Sequence, residues 1–375
     1  MNEDEREQYR RHISLDGFGE EKQLLLKDSS VLVVGAGGLG CSTLQYLVGA
    51  GIGKIGIIDN DLVEVSNLQR QVLFDHQDIG KAKAKVASLK LSKMNPFIKI
   101  IFFVERFTKD NAKSLLDDFD VIIDGTDNFS SRYLINDACI LFGKPLIHGS
   151  IHKFEGMVSV FNHEKGPTYR CLFPEQPDPA SIPSCAEAGV IGVLPGIIGC
   201  WQALEAIKII TKIGEPLSGK VLLYNALSQS TRIVALQAIE ENLIIEKLPD
   251  PIENCLLQSS KHMDSIIEIT EQELLQMMED DEDLQVLDVR EQWERDQACI
   301  QPSTHQPLGN LMQDSLKFIS EKINPKKKLV IYCKAGVRSR MACQNLVENG
   351  FTKLYNLSNG MDGWKLTFPE KTQKG

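Results

Sequence analysis

The stretch Val31–Gly40, VLVVGAGGLG, constrains this chain more than any other: β-forming residues run straight into Gly-x-Gly-x-x-Gly. A strand that ends in glycines and opens a helix leaves backbone N–H groups facing outwards at the helix start, where the helix dipole also favours negative charge. The pattern predicts a βαβ unit with an anion site at its first turn. Gly35, Gly37 and Gly38 form the cradle. Asp59 closes the next strand, KIGIID, where a carboxylate can accept hydrogen bonds from ribose hydroxyls. At this level NAD and adenine nucleotides fit equally well.

From Val31 onward, strand and helix patterns alternate. A helix is expected over 39–48, strand over 54–59, a lysine-dotted helix over 80–94 and strand over 98–107. A short helix over 112–117, a strand over 121–128, a helix to about Phe142 and the strand PLIHG (145–149) follow. Such alternation predicts an α/β protein with a Rossmann-like, mostly parallel sheet covered by helices on both faces. Antiparallel-looking segments at 151–161 and 220–236 flank a long apolar helix near 195–211, so the first domain is expected over 1–245. Residues 246–262, EKLPDPIENCLLQSSKH, have prolines, polar residues and little periodicity, and read as a linker. A second, small α/β domain is expected over 263–375.

Composition narrows the partners. The net charge is −10 and no long basic run is present, which argues against nucleic acid or an anionic membrane. The charged start, MNEDEREQYRRHI, is no signal peptide, and no segment offers eighteen uninterrupted apolar residues, so a cytoplasmic location is expected. The nine cysteines make no compact disulfide framework; Cys41, Cys139, Cys200 and Cys343 sit in apolar helical patterns as small core residues. Cys185 and Cys333 do not fit that description.

What surrounds the glycine turn does not suit hydride transfer. The segment leaving Asp59, VSNLQRQVLF, carries Asn67 and Arg70; Arg10 and Arg11 precede the first strand, and Lys83 sits in the first turns of the next helix. Several cations converging on one pocket suit a triphosphate attacked at its α-phosphorus, where spread negative charge must be stabilised. Asp127, in DGTDN, is a reasonable holder for Mg²⁺. Lys81 and Lys85 read as a solvated face. Cys185 lies among small residues in PSCAEAGVIG, where a thiol could accept an acyl group as a thioester or join a persulfide exchange. Cys333, in LVIYCKAGVRSRMA, stands at a strand end before a loop and a helix; loop N–H groups, Lys334 and Arg338 favour a thiolate that could hold sulfane sulfur.

At these residues the chain resembles the MoeB/ThiF enzymes, bacterial relatives of the ubiquitin-activating enzymes. The matching stretches are YRRHI (9–13), VLVVGAGGLG, IIDNDLVEVSNLQRQ (57–71), GKAKA (80–84), DGTDN (124–128) and SCAEAGVIGVLPGIIG (184–199). The resemblance implies adenylation, with ATP and Mg²⁺, of the C-terminal Gly-Gly of a ubiquitin-like sulfur carrier protein. It assigns Gly38 to the phosphate loop, Asp59 to the ribose, Asn67, Arg70 and Lys83 to the phosphates, and Asp127 to the metal. Ser66, Leu68, Gln69 and Asn128 complete the expected nucleotide pocket. Arg11 would reach the ATP of the other subunit of a homodimer, and Cys185 takes the place of the family's crossover-loop cysteine. Family members usually hold zinc with two Cys-x-x-Cys pairs; here these read Thr168-Tyr-Arg-Cys171 and Ile252-Glu-Asn-Cys255, so no structural zinc is expected.

The stretch from Cys333 to Arg338 resembles the rhodanese active loop, with VLDVREQWE (286–294) and LSNGMDGW (357–364) in support. ACIQPSTHQPLGN (298–310) matches that family only loosely. The expected persulfide loop comprises Cys333, Lys334, Gly336 and Arg338, fed by a cysteine desulfurase or thiosulfate. Molybdopterin synthesis is the favoured pathway, with thiamine, cysteine or thionucleotide pathways as alternatives. An NAD-dependent oxidoreductase and a non-catalytic binding module compete from other classes.

Overall fold

The computed structural model describes residues 1–176, 189–248, 266–281, 283–313 and 322–372. The chain divides into two compact units, Met1–Ile252 and Glu253–Gly375.

In the first unit, helices α1 (Glu3–Gln8), α2 (Arg10–Ile13) and α3 (Gly19–Asp28) precede β1 (Ser30–Val34). Next come α4 (Gly38–Ala50), β2 (Lys54–Ile58), α5 (Lys83–Met94), β3 (Lys99–Phe103), α6 (Lys109–Asp117) and β4 (Val121–Asp124). The unit continues with α7 (Phe129–Leu141), β5 (Leu146–His152), β6 (Glu155–Phe161), α8 (Tyr169–Leu172), α9 (Val193–Thr211), β7 (Lys220–Asn225) and β8 (Ser230–Ala235). The sheet runs β3-β2-β1-β4-β5-β6-β7-β8. It is parallel from β3 to β5 and antiparallel from β5 to β8.

Strand β1 lies in the middle of the parallel part, and its two faces feed two cores. Val31 and Val33 pack with Leu44, Leu47, Ile57 and Ile198 on one side. Leu32 and Val34 pack with Leu116, Phe119, Ile122 and Ile135 on the other. A strand buried on both faces reads as a continuous apolar run, as VLVV does. Helix α9 is long and apolar enough to cross a membrane by length and composition, yet it lies against α4 and β5 with its buried residues turned into the core.

Several elements are shorter than their sequence patterns, for local reasons. The helix expected from residue 80 starts at Lys83, because the Gly80 and Lys83 amides are already committed to the Val63 and Asp61 carbonyls. The strand expected to reach 128 ends at Asp124, whose carboxylate turns back to accept the Thr126 amide. Asp127 therefore stands in a loop, not at a strand end. Likewise, β3 stops at Phe103, level with the end of β2 at Ile58, and Asp59 lies one residue beyond that strand.

In the second unit, β9 (Ile266–Ile269), α10 (Glu271–Asp280), β10 (Gln285–Asp288), α11 (Gln292–Gln297) and β11 (Thr304–His305) come first. Then follow α12 (Leu308–Gln313), β12 (Leu329–Tyr332), α13 (Val337–Glu348), β13 (Leu354–Leu357) and α14 (Gly360–Thr367). The sheet, β11-β10-β12-β13-β9, is parallel throughout and has an apolar core on each face. The sites below stand at the carboxyl ends of β1, β2 and β4 in the first unit and of β12 in the second.

Candidate active sites

Three loops meet at the carboxyl edge of the first sheet. The glycine turn and the 124–128 loop abut: a Cβ at Gly35 would lie 2.9 Å from the Gly125 carbonyl oxygen. The segment after β2 closes the third side, since a Cβ at Gly38 would stand 3.5 Å from Cγ of Arg70 and 3.0 Å from Cβ of Pro195. Gly37 is the N-cap of α4 and supplies no side-chain acceptor, so the first amides of the helix remain available to an anion.

Asp59 is tied to that turn. Its Oδ2 accepts the Ala36 amide at 2.7 Å and its Oδ1 accepts the Asp61 amide at 2.8 Å. Burial pushes its carboxyl above the usual carboxylate range, against the opposing pull of these amides and Lys83. Lys83 is buried, and its ammonium donates to Asp61 Oδ2 at 2.9 Å. Asp61 thus connects the expected ribose ligand with the expected phosphate ligand. It escaped the sequence reading, although its place two residues after Asp59 was a signal. The neighbouring Lys81 and Lys85 are exposed, as expected of a solvated face.

The remaining pocket residues differ in role. Arg70 donates to the Ser66 carbonyl at 2.9 Å, and the Asn67 side chain accepts the Glu64 amide at 3.2 Å, so this segment is shaped by its own side chains. Ser66 bonds Glu64, Leu68 packs on the core, and Gln69 is exposed. Asn128 caps α7 by accepting the Ser131 amide at 2.9 Å. Asp127 and Arg11 are both exposed, and their side chains have no hydrogen bond or ion pair among the described residues. An exposed carboxylate beside a cradle of amides fits a phosphate-bound Mg²⁺, which takes one or two carboxylates and several phosphate or water oxygens.

Behind this edge lies a buried polar cluster. Asp124 Oδ2 lies 2.8 Å from His148 Nδ1, and both residues are 1% exposed. Burial holds the imidazole below its ordinary range. Burial works in the opposite direction on Asp124, but hydrogen bonds from His148 and Thr126 keep its carboxyl below the usual value.

Cys185 lies outside the described residues, as do Cys255 and 249–262 of the expected linker. Cys171 is buried, and its Sγ accepts the amides of Thr168 at 3.4 Å and Ile239 at 3.3 Å. Cys41 and Cys139 are buried, and burial pushes the Cys41 thiol up to about 12. Cys343 is buried as well, so three of the four expected core thiols are buried, whereas Cys200 is half-buried.

In the second unit Cys333 lies one residue beyond β12 and is only 1% exposed. Its Sγ receives the Ser339 hydroxyl at 3.4 Å. Gly336 has φ +83°, and a Cβ there would stand 2.0 Å from the Ser358 carbonyl oxygen, so the turn from β12 into α13 requires glycine. Lys334 is exposed, but Arg338 is not a free cation: its guanidinium donates to both Glu294 oxygens at 2.7 and 2.8 Å. This ion pair ties the first turn of α13 to α11. Glu294, the last residue of VLDVREQWE, is the carboxylate that makes this bidentate pair. Beneath the loop, Asp288 accepts from Arg290 at 2.6 and 2.9 Å and from the Tyr332 hydroxyl at 2.8 Å.

Comparisons with known proteins agree with both units. The model of the ThiF family matches residues 9–243, and that of the rhodanese-like domain matches 270–367. The "Sulfur carrier protein adenylyltransferase" of Thermus thermophilus is 50% identical over 234 residues, covering 61% of this chain and 86% of the relative. The "Probable adenylyltransferase/sulfurtransferase MoeZ" of Mycobacterium tuberculosis is 38% identical over 373 residues, covering 97% of this chain and 94% of the relative. Among solved structures, the crystal structure of E. coli MccB aligns with TM-score 0.57 at 22% identity, covering 67% of this chain and 74% of that one, which supports the fold.

Proposed function

The chain belongs to the ThiF family and carries a rhodanese-like domain, and from that premise we propose that it activates a ubiquitin-like sulfur carrier protein with ATP and delivers sulfur to it from Cys333. The observation that carries the reading is the presence on one chain of two sites whose chemistries complement each other. One joins Asp59, Lys83 and Arg70 around a glycine cradle; the other holds Cys333 at the base of a strand–loop–helix turn.

In the first step an oxygen of the carrier's terminal Gly-Gly carboxylate attacks the α-phosphorus of ATP, the bond to pyrophosphate breaks, and an acyl adenylate forms. Asp59 holds the ribose, and the amides opening α4 face the phosphates. Lys83, exchanging Asp61 for phosphate oxygens, and Arg70 stabilise charge that spreads in the transition state, an effect worth ~10²–10³-fold for a single preorganised donor. Mg²⁺ held by Asp127 would neutralise phosphate charge. Arg11, a cation with no partner in its own chain among the described residues, suits a role across a homodimer.

In the second step the terminal sulfur of a Cys333 persulfide attacks the acyl carbon and AMP leaves. The resulting acyl disulfide is reduced by a thiol, Cys185 or an external one, to a thiocarboxylate and a new disulfide. A cysteine desulfurase or thiosulfate supplies the sulfane sulfur. Of the carriers, the small subunit of molybdopterin synthase is favoured, because the resemblance to MoeB runs through SCAEAGVIGVLPGIIG (184–199).

ATP–pyrophosphate exchange, assayed with candidate carrier proteins from the same cell, tests the activating half. Exchange that depends on a Gly-Gly-ended carrier is expected; exchange indifferent to the carrier refutes it. Binding of NAD(H) in preference to ATP would restore the oxidoreductase alternative.

A further inference from the structure

We propose that His148 is a positioning residue for adenylation: by holding Asp124 it shapes the loop that carries Asp127, and so governs the metal-dependent part of ATP binding. The inference rests on the nucleotide reading above and deepens it at a residue outside the pocket itself.

The cluster is organised around one carboxylate. Asp124 ends β4 and His148 stands opposite it on β5, in direct register. His148 Nδ1 reaches Asp124 Oδ2 at 2.8 Å, and Oδ1 accepts the Thr126 amide at 2.9 Å and its hydroxyl at 2.6 Å. Gln202 from α9 donates to the Asp124 carbonyl at 2.7 Å, and Arg132 from α7 donates to the Thr126 carbonyl at 3.3 Å. Residues 124–126 are thereby held from the sheet and from two helices. The chain then emerges at exposed Asp127 and is capped again at Asn128.

Within this arrangement His148 has a specific task. Buried between Phe161 and Tyr169, its ring lies 5.9 and 4.9 Å from theirs, centroid to centroid, so its orientation is set by packing. A carboxylate accepts only, so Nδ1 carries the proton and donates it. Without that donor, one oxygen of a fully buried carboxylate would lack a partner. The carboxylate would then turn, and the Thr126 bonds that shape the loop would turn with it. The opposite end of the pocket does not depend on this brace, because Asp59 is tied to the Ala36 and Asp61 amides. Loss of the brace should therefore disturb the metal end and spare the ribose end.

The test is calorimetric titration of the full chain with ATP, once with Mg²⁺ and once with EDTA, on wild type, His148→Phe and His148→Asn. Phenylalanine keeps the aromatic packing and removes the donor; asparagine keeps a donor. Partners that orient a metal ligand typically contribute ~10–100-fold to metal affinity. His148→Phe should raise the Mg²⁺ concentration that half-saturates ATP binding by about that factor, leave binding in EDTA unchanged, and be rescued in large part by His148→Asn. An unchanged Mg²⁺ requirement, or equal loss with and without metal, overturns the inference. Thr126→Val, which removes the hydroxyl donated to the same carboxylate, should shift the Mg²⁺ requirement in the same direction; this keeps the test decisive if the Phe variant does not fold. Wild-type protein that binds ATP no better with Mg²⁺ than without it would overturn the metal reading itself, and this inference with it.

Discussion

Replacing Gly40 by alanine puts a methyl group where the Gly35 carbonyl oxygen already stands. The added Cβ would lie 2.0 Å from that oxygen, and the atom in the way is backbone at the joint between β1 and α4, so no flexible side chain can swing aside. Overpacking of a tight site costs about 1–3 kcal/mol, and a contact this short belongs at the upper end. Alanine's better helix propensity returns at most ~1 kcal/mol. The expected net loss is ~2–3 kcal/mol, a fall of roughly 4–12 °C in the unfolding midpoint for a unit of this size. Gly37 is the control. A Cβ there meets only Gln71 Nε2, at 3.9 Å, so the fold should tolerate alanine with at most ~1 kcal/mol lost at the helix cap. That methyl would, however, stand at the mouth of the anion cradle. Thermal unfolding of the full-length variants, paired with MgATP titration, should show Gly40→Ala losing stability and Gly37→Ala losing mainly affinity. If Gly40→Ala unfolds at the wild-type temperature, or Gly37→Ala falls equally far, the geometry assigned to this turn is wrong.

Further expectations are shorter to state. Lys83→Ala should slow carrier-dependent pyrophosphate exchange by ~10²–10³-fold and, because its side chain is buried, lower stability by about 0.5–3 kcal/mol. In the second unit burial works to raise the Asp288 carboxyl, but Arg290 and Tyr332 hold it below its usual 3.8. A depressed carboxylate stabilises the fold above its unfolded-state pKa and loses that contribution as pH falls through the folded value. Acid titration followed by far-UV circular dichroism should therefore show the rhodanese-like unit weakening below about pH 4. Asp288→Asn should destabilise that unit at pH 7 by ~3–5 kcal/mol, since it leaves Arg290 buried without its counter-charge. Metal analysis of purified protein should find no stoichiometric zinc; one zinc per chain would contradict the reading of the lost Cys-x-x-Cys pairs.

The glycine turn and the placement of Asp59 beside it were legible because a strand running into glycines and a helix is a local pattern. VLVVGAGGLG, Asp59 and Lys83 each lie at or beside a strand end or a helix start, where local spacing suggests what a side chain can reach, whereas the expected role of Arg70, 12 residues beyond β2, rests on the family resemblance. The limits appeared where contacts cross the chain. The Asp124–His148 pair joins adjacent parallel strands through a register that no local periodicity encodes. Glu294 meets Arg338 across a still longer stretch of chain, so their ion pair is not visible in either local motif. Element ends were misjudged for a related reason: the Lys83 amide and the Asp124 carboxylate make tertiary or turn contacts that override helix and strand propensity. Lys83 shows the benefit of reading charge in context, since it is buried while Lys81 and Lys85 on either side are exposed.

The most direct test of the account is the mass of the carrier protein. A Gly-Gly-ended carrier incubated with the full chain, ATP, Mg²⁺, a sulfane-sulfur donor and a thiol reductant should gain the mass difference between sulfur and oxygen at its C-terminus. That gain should vanish without ATP and with Cys333→Ser, while Cys333→Ser retains carrier-dependent pyrophosphate exchange. No mass gain under complete conditions, or an equal gain with Cys333→Ser, would contradict the claim that this chain couples adenylation to sulfur transfer from Cys333.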